Sequence, residues 1–440
     1  MSKFKTVYTC KNCGYTSYQW VGQCPSCNEW NTFVEDVISA KEQRSGGSSA
    51  SRPAGLPIKL SSVMSVPPKR LQSGIGEFDR VLGGGFVPGQ VVLLAGEPGI
   101  GKSTILTEIS KNLKDVNVLY VCGEESVDQV KLRALRMDYN AENLLVLSET
   151  NAEAVVATIE QNKEIGLVIV DSIQTLFSDE FLGFAGSMVQ VRGCTQMLTT
   201  VAKETGIPIV LVGHVTKEGV VAGPKVLEHV VDTVLYLEGD SQHLFRVLRT
   251  NKNRFGPVSE VGIFEMEEGG MREVKNPSEL FLKQRLENSA GSCVTVVMEG
   301  YRPLLFEVQA LTVRTTFGYP RRTSTGFSTT RLQVLLAILE RRAGLNLTSY
   351  DVYLSVAGGF KVSEYAADLA VCLAIASSVK DKPVKEGTAA FGECGLNGEI
   401  RRVSHQDKRT SEAQKLGYKS VVSSDSVKNI SEAISKSLAN

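Results

Sequence analysis

The stretch GEPGIGKST, Gly96 to Thr104, combines residue types and spacing suited to holding phosphate. It fits G-x-x-x-x-G-K-[S/T] and follows QVVLLA, an apolar run that reads as a buried strand. Glycines let such a loop curl until its amides and the next helix N-terminus face phosphate oxygens. Gly96, Glu97, Pro98, Gly99, Ile100, Gly101, Lys102, Ser103 and Thr104 are therefore the expected cradle for ATP. Lys102 would reach the outer phosphates, and the Ser103 hydroxyl would ligate Mg2+. GLVIVDS supplies the carboxylate this chemistry needs, Asp171, at the end of another apolar run. Alone, such a residue caps a strand; beside a P-loop it holds the water shell of Mg2+.

Two further strand ends carry polar groups. YVCGEES ends on Glu124 and Glu125, either of which can orient or deprotonate an attacking water, or simply be solvated. PIVLVGH ends on His214, placed to sense a terminal phosphate, and Gln174 follows Asp171 by three residues. A hydrogen-bonded structural role is the alternative for both.

A second chemistry lies near the start of the chain, where Cys10, Cys13, Cys24 and Cys27 form two C-x-x-C pairs separated by ten residues. That loop is long enough to bring one pair round to face the other, and four thiolates close a tetrahedral Zn2+ site. With all four positions filled by sulfur the zinc is structural, and metal binding supplies stability that about thirty residues cannot bury for themselves. Tyr15, Tyr18 and Trp20 either offer a contact surface or pack against the metal.

Elements must position these groups, and the composition changes three times along the chain. The expected organisation is a four-cysteine zinc finger over 1–35, a flexible linker over 36–59 rich in Ser, Gly and Pro, an ATPase domain over 60–270, a connection over 271–288 and a second folded unit over 289–440. Within 60–270 the runs QVVLLAG, NVLYVCG, LLVLSE, GLVIVDS, PIVLVGH and DTVLYLEG alternate with amphipathic segments. This predicts α/β architecture around a mainly parallel sheet covered on both faces. SCVTVVMEG, LLFEVQALTV, DVYLSVAGG and the helical ADLAVCLAIASS predict an α+β unit at the C-terminus.

Composition narrows the function classes. Lys plus Arg and Asp plus Glu both number 48, so any nucleic-acid contact must come from local patches rather than bulk charge. No apolar run of membrane-spanning length occurs, and the first residues lack the apolar core of a signal peptide. The expectation is a cytoplasmic protein, where nine cysteines are poor disulfide candidates.

The 60–270 segment resembles the RecA-like ATPases, specifically through SGIGEFDRVLGGGFVPGQVVLLAGEPGIGKST. The string KNRFG, Lys252 to Gly256, looks like the signature of a bacterial DNA-repair branch of that family, and the cysteine module and C-terminal unit agree with it. The resemblance implies a DNA-stimulated ATPase associated with the nucleoid. It would form a homo-oligomer, a hexameric ring, that moves on single-stranded and branched DNA and promotes branch migration at joints made by RecA. It further implies that Lys252 and Arg254 complete a neighbour's ATP site, although a charged exposed turn is the plain alternative. The connections 178–197 and 214–229 would line the DNA channel, making Arg192, Lys217 and Lys225 phosphate contacts or else ordinary surface charges.

The C-terminal unit resembles the Lon protease domain through VYLSVAGGFKVSEYAADLAVCLAIASS and FGECGLNGEIRRV. The family's serine falls at Ala366 or Ala367, so Lys408, near the expected lysine, has nothing to activate. Ser363 reads as a helix cap rather than a displaced nucleophile. The expectation is a proteolytically inactive Lon-like scaffold used for assembly. An ATP-dependent protease is the competing function, disfavoured by the alanines. A RecA-like signalling ATPase is another, suggested by the paired glutamates and opposed by the cysteine module and KNRFG.

Overall fold

The computed structural model describes residues 69–214, 225, 227–239, 245–283, 285–286, 288–315 and 318–439, with 4–10, 16–17, 20, 22–24, 30–31 and 33–39 nearer the start. Residues 1–67 and 68–440 form two separate compact units. In the first, β1 (Phe4–Cys10) pairs antiparallel with both β2 (Thr16–Ser17) and β3 (Phe33–Ser39). Cys24 is buried, whereas Trp20 and Trp30 are 57% and 67% exposed. Cys13, Cys27, Tyr15 and Tyr18 lie outside the described residues, as does the side chain of Cys10.

The larger unit starts with α1 (Gly76–Leu82), β4 (Val91–Gly96), α2 (Lys102–Asn112), β5 (Asn117–Cys122), α3 (Val127–Arg136), β6 (Leu144–Leu147) and α4 (Ala152–Gln161). It continues through β7 (Ile165–Asp171), α5 (Met188–Thr205), β8 (Ile209–His214), β9 (Thr233–Gly239), β10 (Phe245–Asn253), β11 (Val261–Glu267) and β12 (Gly270–Glu273). These strands make one nine-stranded sheet in the order β12-β11-β10-β9-β4-β8-β7-β5-β6. All six strands read from apolar runs are in it, and β9-β4-β8-β7-β5-β6 are mutually parallel.

Period-two alternation explains why this sheet carries a core on each face. Val92, Leu94, Val118, Tyr120, Leu167 and Ile169 pack on the side of α1 and α2. Val91, Leu93, Leu119, Val121, Val168 and Val170 pack on the side of α4 and α5. Because the strands run parallel, their C-terminal ends share one edge, where crossover loops leave room for a ligand.

The end of β12, which pairs with β11, and α6 (Pro277–Leu282) occupy the stretch read as a connection, so the nine-stranded sheet runs on to Glu273. Beyond lie β13 (Ser292–Glu299), β14 (Arg302–Arg314), β15 (Arg322–Thr325), α7 (Thr329–Ala343), β16 (Tyr350–Val356) and α8 (Asp368–Lys380). The chain closes with β17 (Thr388–Ala390), β18 (Glu393–Cys394), β19 (Ile400–Arg401), α9 (Gln406–Lys415), β20 (Ser420–Val422) and α10 (Ile430–Ser437). A six-stranded mixed sheet, β15-β16-β14-β13-β17-β20, stacks one face on the apolar α8. One correction falls here. The turn 365–367 and α8 begin without a side-chain cap, so Ser363 does not cap them. Lys408 lies over the Tyr301 ring at 5.2 Å, while Arg409, unremarked in the sequence, is fully buried against Glu364. No helix among the described residues is long and apolar enough to cross a membrane.

Candidate nucleotide site

At the C-terminal end of β4 the chain turns through Gly99 and Gly101, with φ of 75° and 111°, into α2. Positive φ at both points is what glycine permits at little cost, and it frees the first amides of α2 to face outward. Lys102, only 4% exposed, folds back to donate from Nζ to the carbonyls of Gly96 and Glu97, each at 2.9 Å. Burial pulls the Lys102 ammonium below its ordinary pKa, against the charges of Asp171 and Glu124. Beside it the Ser103 hydroxyl donates to Asp171 Oδ2 at 2.6 Å.

Asp171 reaches this place because β7 lies next to β5, with Cys122 opposite Asp171 in register. The same register sets the Glu124–Glu125 turn over the pocket. Glu124 accepts from Ser172 Oγ at 2.5 Å and lies 3.2 Å from His214 Nε2. The close approach of His214, outweighing burial and helped by the Ser172 hydrogen bond, lowers Glu124 to about 2. Glu125 points elsewhere: both its oxygens accept from Arg133 Nη1, at 2.8 and 2.6 Å. Gln174 donates to the His214 carbonyl at 3.4 Å, and its own buried carbonyl oxygen has no partner among the described residues.

These groups face an open pocket of about 330 Å³ that Lys102, Ser103, Glu124, Glu125, Asp171 and His214 share. A hydroxyl and a carboxylate in contact offer the hard oxygen donors Mg2+ takes, so the residues present fit that ion. Glycine-loop amides, an ammonium and a helix N-terminus fit a polyphosphate. Arg133 and Arg136 also line the pocket and were missed in the sequence. The available signal was the Ser126–Gln129 capping box, which starts α3 just past the glutamates and sends Arg133 back towards them.

Other predicted residues lie apart from this pocket. Lys252 pairs with Val234 and Asn253 with Thr233, at the N-terminal end of the parallel strands, opposite the P-loop. Lys252 donates to the carbonyls of Glu228 and Val231 at 2.5 and 2.8 Å, and burial with the nearby Arg254 charge lowers its pKa. Arg254, 56% exposed at its side chain, reaches Asp232 at 3.2 Å. Val91 and Gly96 stand five residue steps apart along β4, about 16 Å, so neither cation meets its own P-loop. Arg192 is exposed on α5, since the helix begins at Met188 and shortens the connection read as a loop. Lys225 is exposed, and Lys217 lies outside the described residues.

A parallel sheet with a glycine loop, a strand-end aspartate and a glutamate over one pocket defines a P-loop ATPase of the RecA-like class, here with an N-terminal metal ribbon. Residues 59–220 match the AAA domain family and residues 8–35 the rubredoxin metal binding domain. The DNA repair protein RadA of Bacillus subtilis (strain 168) is 49% identical over 426 residues, spanning 96% of this chain and 93% of that protein. RadA of Listeria monocytogenes serovar 1/2a is 48% identical over 422 residues, 96% of this chain and 92% of its own. The chain belongs to the RadA family of DNA repair proteins. Crystal structures of the RadB recombinase and of a KaiC-like protein from Pyrococcus horikoshii OT3 each cover 47% of the chain, at 22% and 20% identity with TM-scores of 0.38 and 0.39.

Proposed function

We propose that the chain is a DNA-stimulated ATPase that acts as a ring-forming motor on single-stranded and branched DNA, promoting branch migration of RecA-made joints. The observation that carries this reading is the convergence of Lys102, Ser103, Asp171 and Glu124 on one pocket in a chain of the RadA family. On nucleotide entry the Lys102 ammonium exchanges the carbonyls of Gly96 and Glu97 for phosphate oxygens, while the amides of 96–104 fold round them. Ser103 and Asp171 would hold Mg2+, which when bound neutralises charge developing on the phosphates. Glu124, already ionised, is a weak base; it orients the water in line by accepting its hydrogen bond, and His214 keeps it turned to the pocket. Gln174 reports the occupancy of the outer phosphate position through His214.

Lys252 and Arg254 serve a neighbouring subunit's ATP site, a reading supported by their position at the opposite end of the sheet. Such an arrangement makes hydrolysis depend on the homo-oligomer, a hexamer in this proposal. Arg192, Lys217 and Lys225 contact DNA phosphates. Cys10, Cys13, Cys24 and Cys27 hold Zn2+ in a tethered head over 1–35 that recognises RecA or branched DNA, joined through 36–59 to the ATPase over 60–270. Residues 271–288 lead to the Lon-like scaffold over 289–440, where buried Ala366 and Ala367 offer no nucleophile and proteolysis is not expected. The working place is the cytoplasm, at the nucleoid.

The test measures ATP hydrolysis with and without single-stranded DNA, and branch migration, for the parent, Lys102→Ala and Lys252→Ala. Lys102→Ala should abolish hydrolysis, while Lys252→Ala should lose DNA stimulation and branch migration. A parent indifferent to single-stranded DNA would sink the motor reading, and unchanged branch migration in Lys252→Ala would remove that residue from it.

A further inference from the structure

Arg133 lines the nucleotide pocket, and its guanidinium bonds to three side chains that stand on different elements around it. Besides holding Glu125, its Nε donates to Thr107 Oγ1 at 3.1 Å and its Nη2 to the Tyr120 hydroxyl at 3.1 Å. An arginine only donates, so both oxygens must accept from it and spend their own protons elsewhere. Thr107 passes its proton to the Ser103 carbonyl at 2.7 Å, and Tyr120 passes its own to Asp171 Oδ2 at 2.6 Å. The network is dry: Arg133, Tyr120, Thr107 and Asp171 are each at most 8% exposed.

We infer that Arg133 is a positioning residue for the Mg2+–ATP site, acting through Tyr120 on Asp171 and through Thr107 on Ser103, and holding Glu125 back so that Glu124 alone faces the water. The inference rests on the proposed nucleotide site. Two directed chains from one rigid fork fix the serine and the aspartate relative to each other, which is the spacing a small octahedral ion is sensitive to. The two acids that the sequence leaves equivalent are thereby given different work. Lysine in place of Arg133 keeps the charge but is a point donor that cannot reach all three partners at once.

The experiment uses the full chain with Tyr120→Phe, which removes one hydroxyl, and Arg133→Lys. Binding of methylanthraniloyl-ATP is followed by fluorescence, first in EDTA and then as Mg2+ is added, and the Mg2+ concentration for half-maximal turnover is read separately. Affinity in EDTA should stay within about twofold of the parent, while the Mg2+ requirement rises about tenfold or more in both variants, as for other outer-shell partners of metal ligands. A lower melting temperature with an unchanged Mg2+ requirement would reduce the network to a structural brace and overturn the proposal. Failure of the nucleotide site itself would look different: parent and Lys102→Ala would then bind the probe equally well.

Discussion

Glu124 and Glu125 are adjacent in sequence, yet the pocket treats them as different reagents. Glu125 spends both oxygens on Arg133, whereas Glu124 stays over the pocket with its charge held by His214 and Ser172. Glu124→Gln should therefore lower hydrolysis by about 10²–10⁴-fold with nucleotide binding retained, and Glu125→Gln should cost far less, in steady-state rates measured alongside probe affinity. A comparable loss in both would contradict the division of roles. The lowered Glu124 pKa also has a stability consequence. Its folded value of about 2 lies below the ordinary 4.5, so its charge stabilises the fold above pH 4.5 and that contribution is lost as pH falls through 2. Circular dichroism of urea unfolding between pH 5 and 2 should show the parent losing stability that Glu124→Gln never had.

Helix α5 is the element whose details the sequence hid. Gly193 sits in its interior, where Gly→Ala in an exposed helix normally adds about 1 kcal/mol. Here a Cβ would lie 2.4 Å from the Phe181 ring, which belongs to the loop before the helix. That loop is fastened by one buried amide: Gln190 Nε2 donates to the carbonyls of Ser178, Phe181 and Gly183 at 3.0, 2.7 and 3.2 Å. Gly193→Ala should therefore lower the melting temperature and, by displacing the loop, reduce the ratio of DNA-stimulated to basal hydrolysis. A higher melting temperature would show that the ring gives way freely. The six parallel strands were legible because each reads as an unbroken apolar run, which burial on both faces demands of all but the edge strand β6. Lys102, Ser103, Asp171 and Glu124 were legible because each stands at a fixed offset from such a run. Arg133 and Gln190 were not, because their work depends on partners that only the tertiary fold brings near, and a polar residue inside a helix otherwise reads as solvated.

Residues 68–440 form one compact unit although they contain two large sheets, and Glu77 shows what joins those two. Its Oε2 accepts from Arg80 on the same helix at 2.7 Å, from the Ile263 amide of β11 at 3.0 Å and from Arg302, the first residue of β14, at 2.7 Å. Around it the Tyr301 amide donates to the Ser259 carbonyl at 3.0 Å, and Arg249 of β10 pairs with Glu299 of β13. Burial already pulls the Arg302 pKa down, so its charge depends on Glu77 to be tolerated there. Glu77→Ala would leave that guanidinium without its counter-charge, a change that costs about 3–5 kcal/mol for a buried pair and less here because Arg302 is only partly buried and keeps its bond to the Lys275 carbonyl. Both tryptophans, Trp20 and Trp30, lie in the other unit, so their fluorescence is blind to this joint. Far-ultraviolet circular dichroism in urea is the suitable probe. The expected outcome is a midpoint lowered in Glu77→Ala, a similar loss in Arg302→Ala, and a double variant less destabilised than the sum, since each single change strands the other's charge. Additive losses would mean that the two sheets are held together elsewhere and that Glu77 merely serves its own helix.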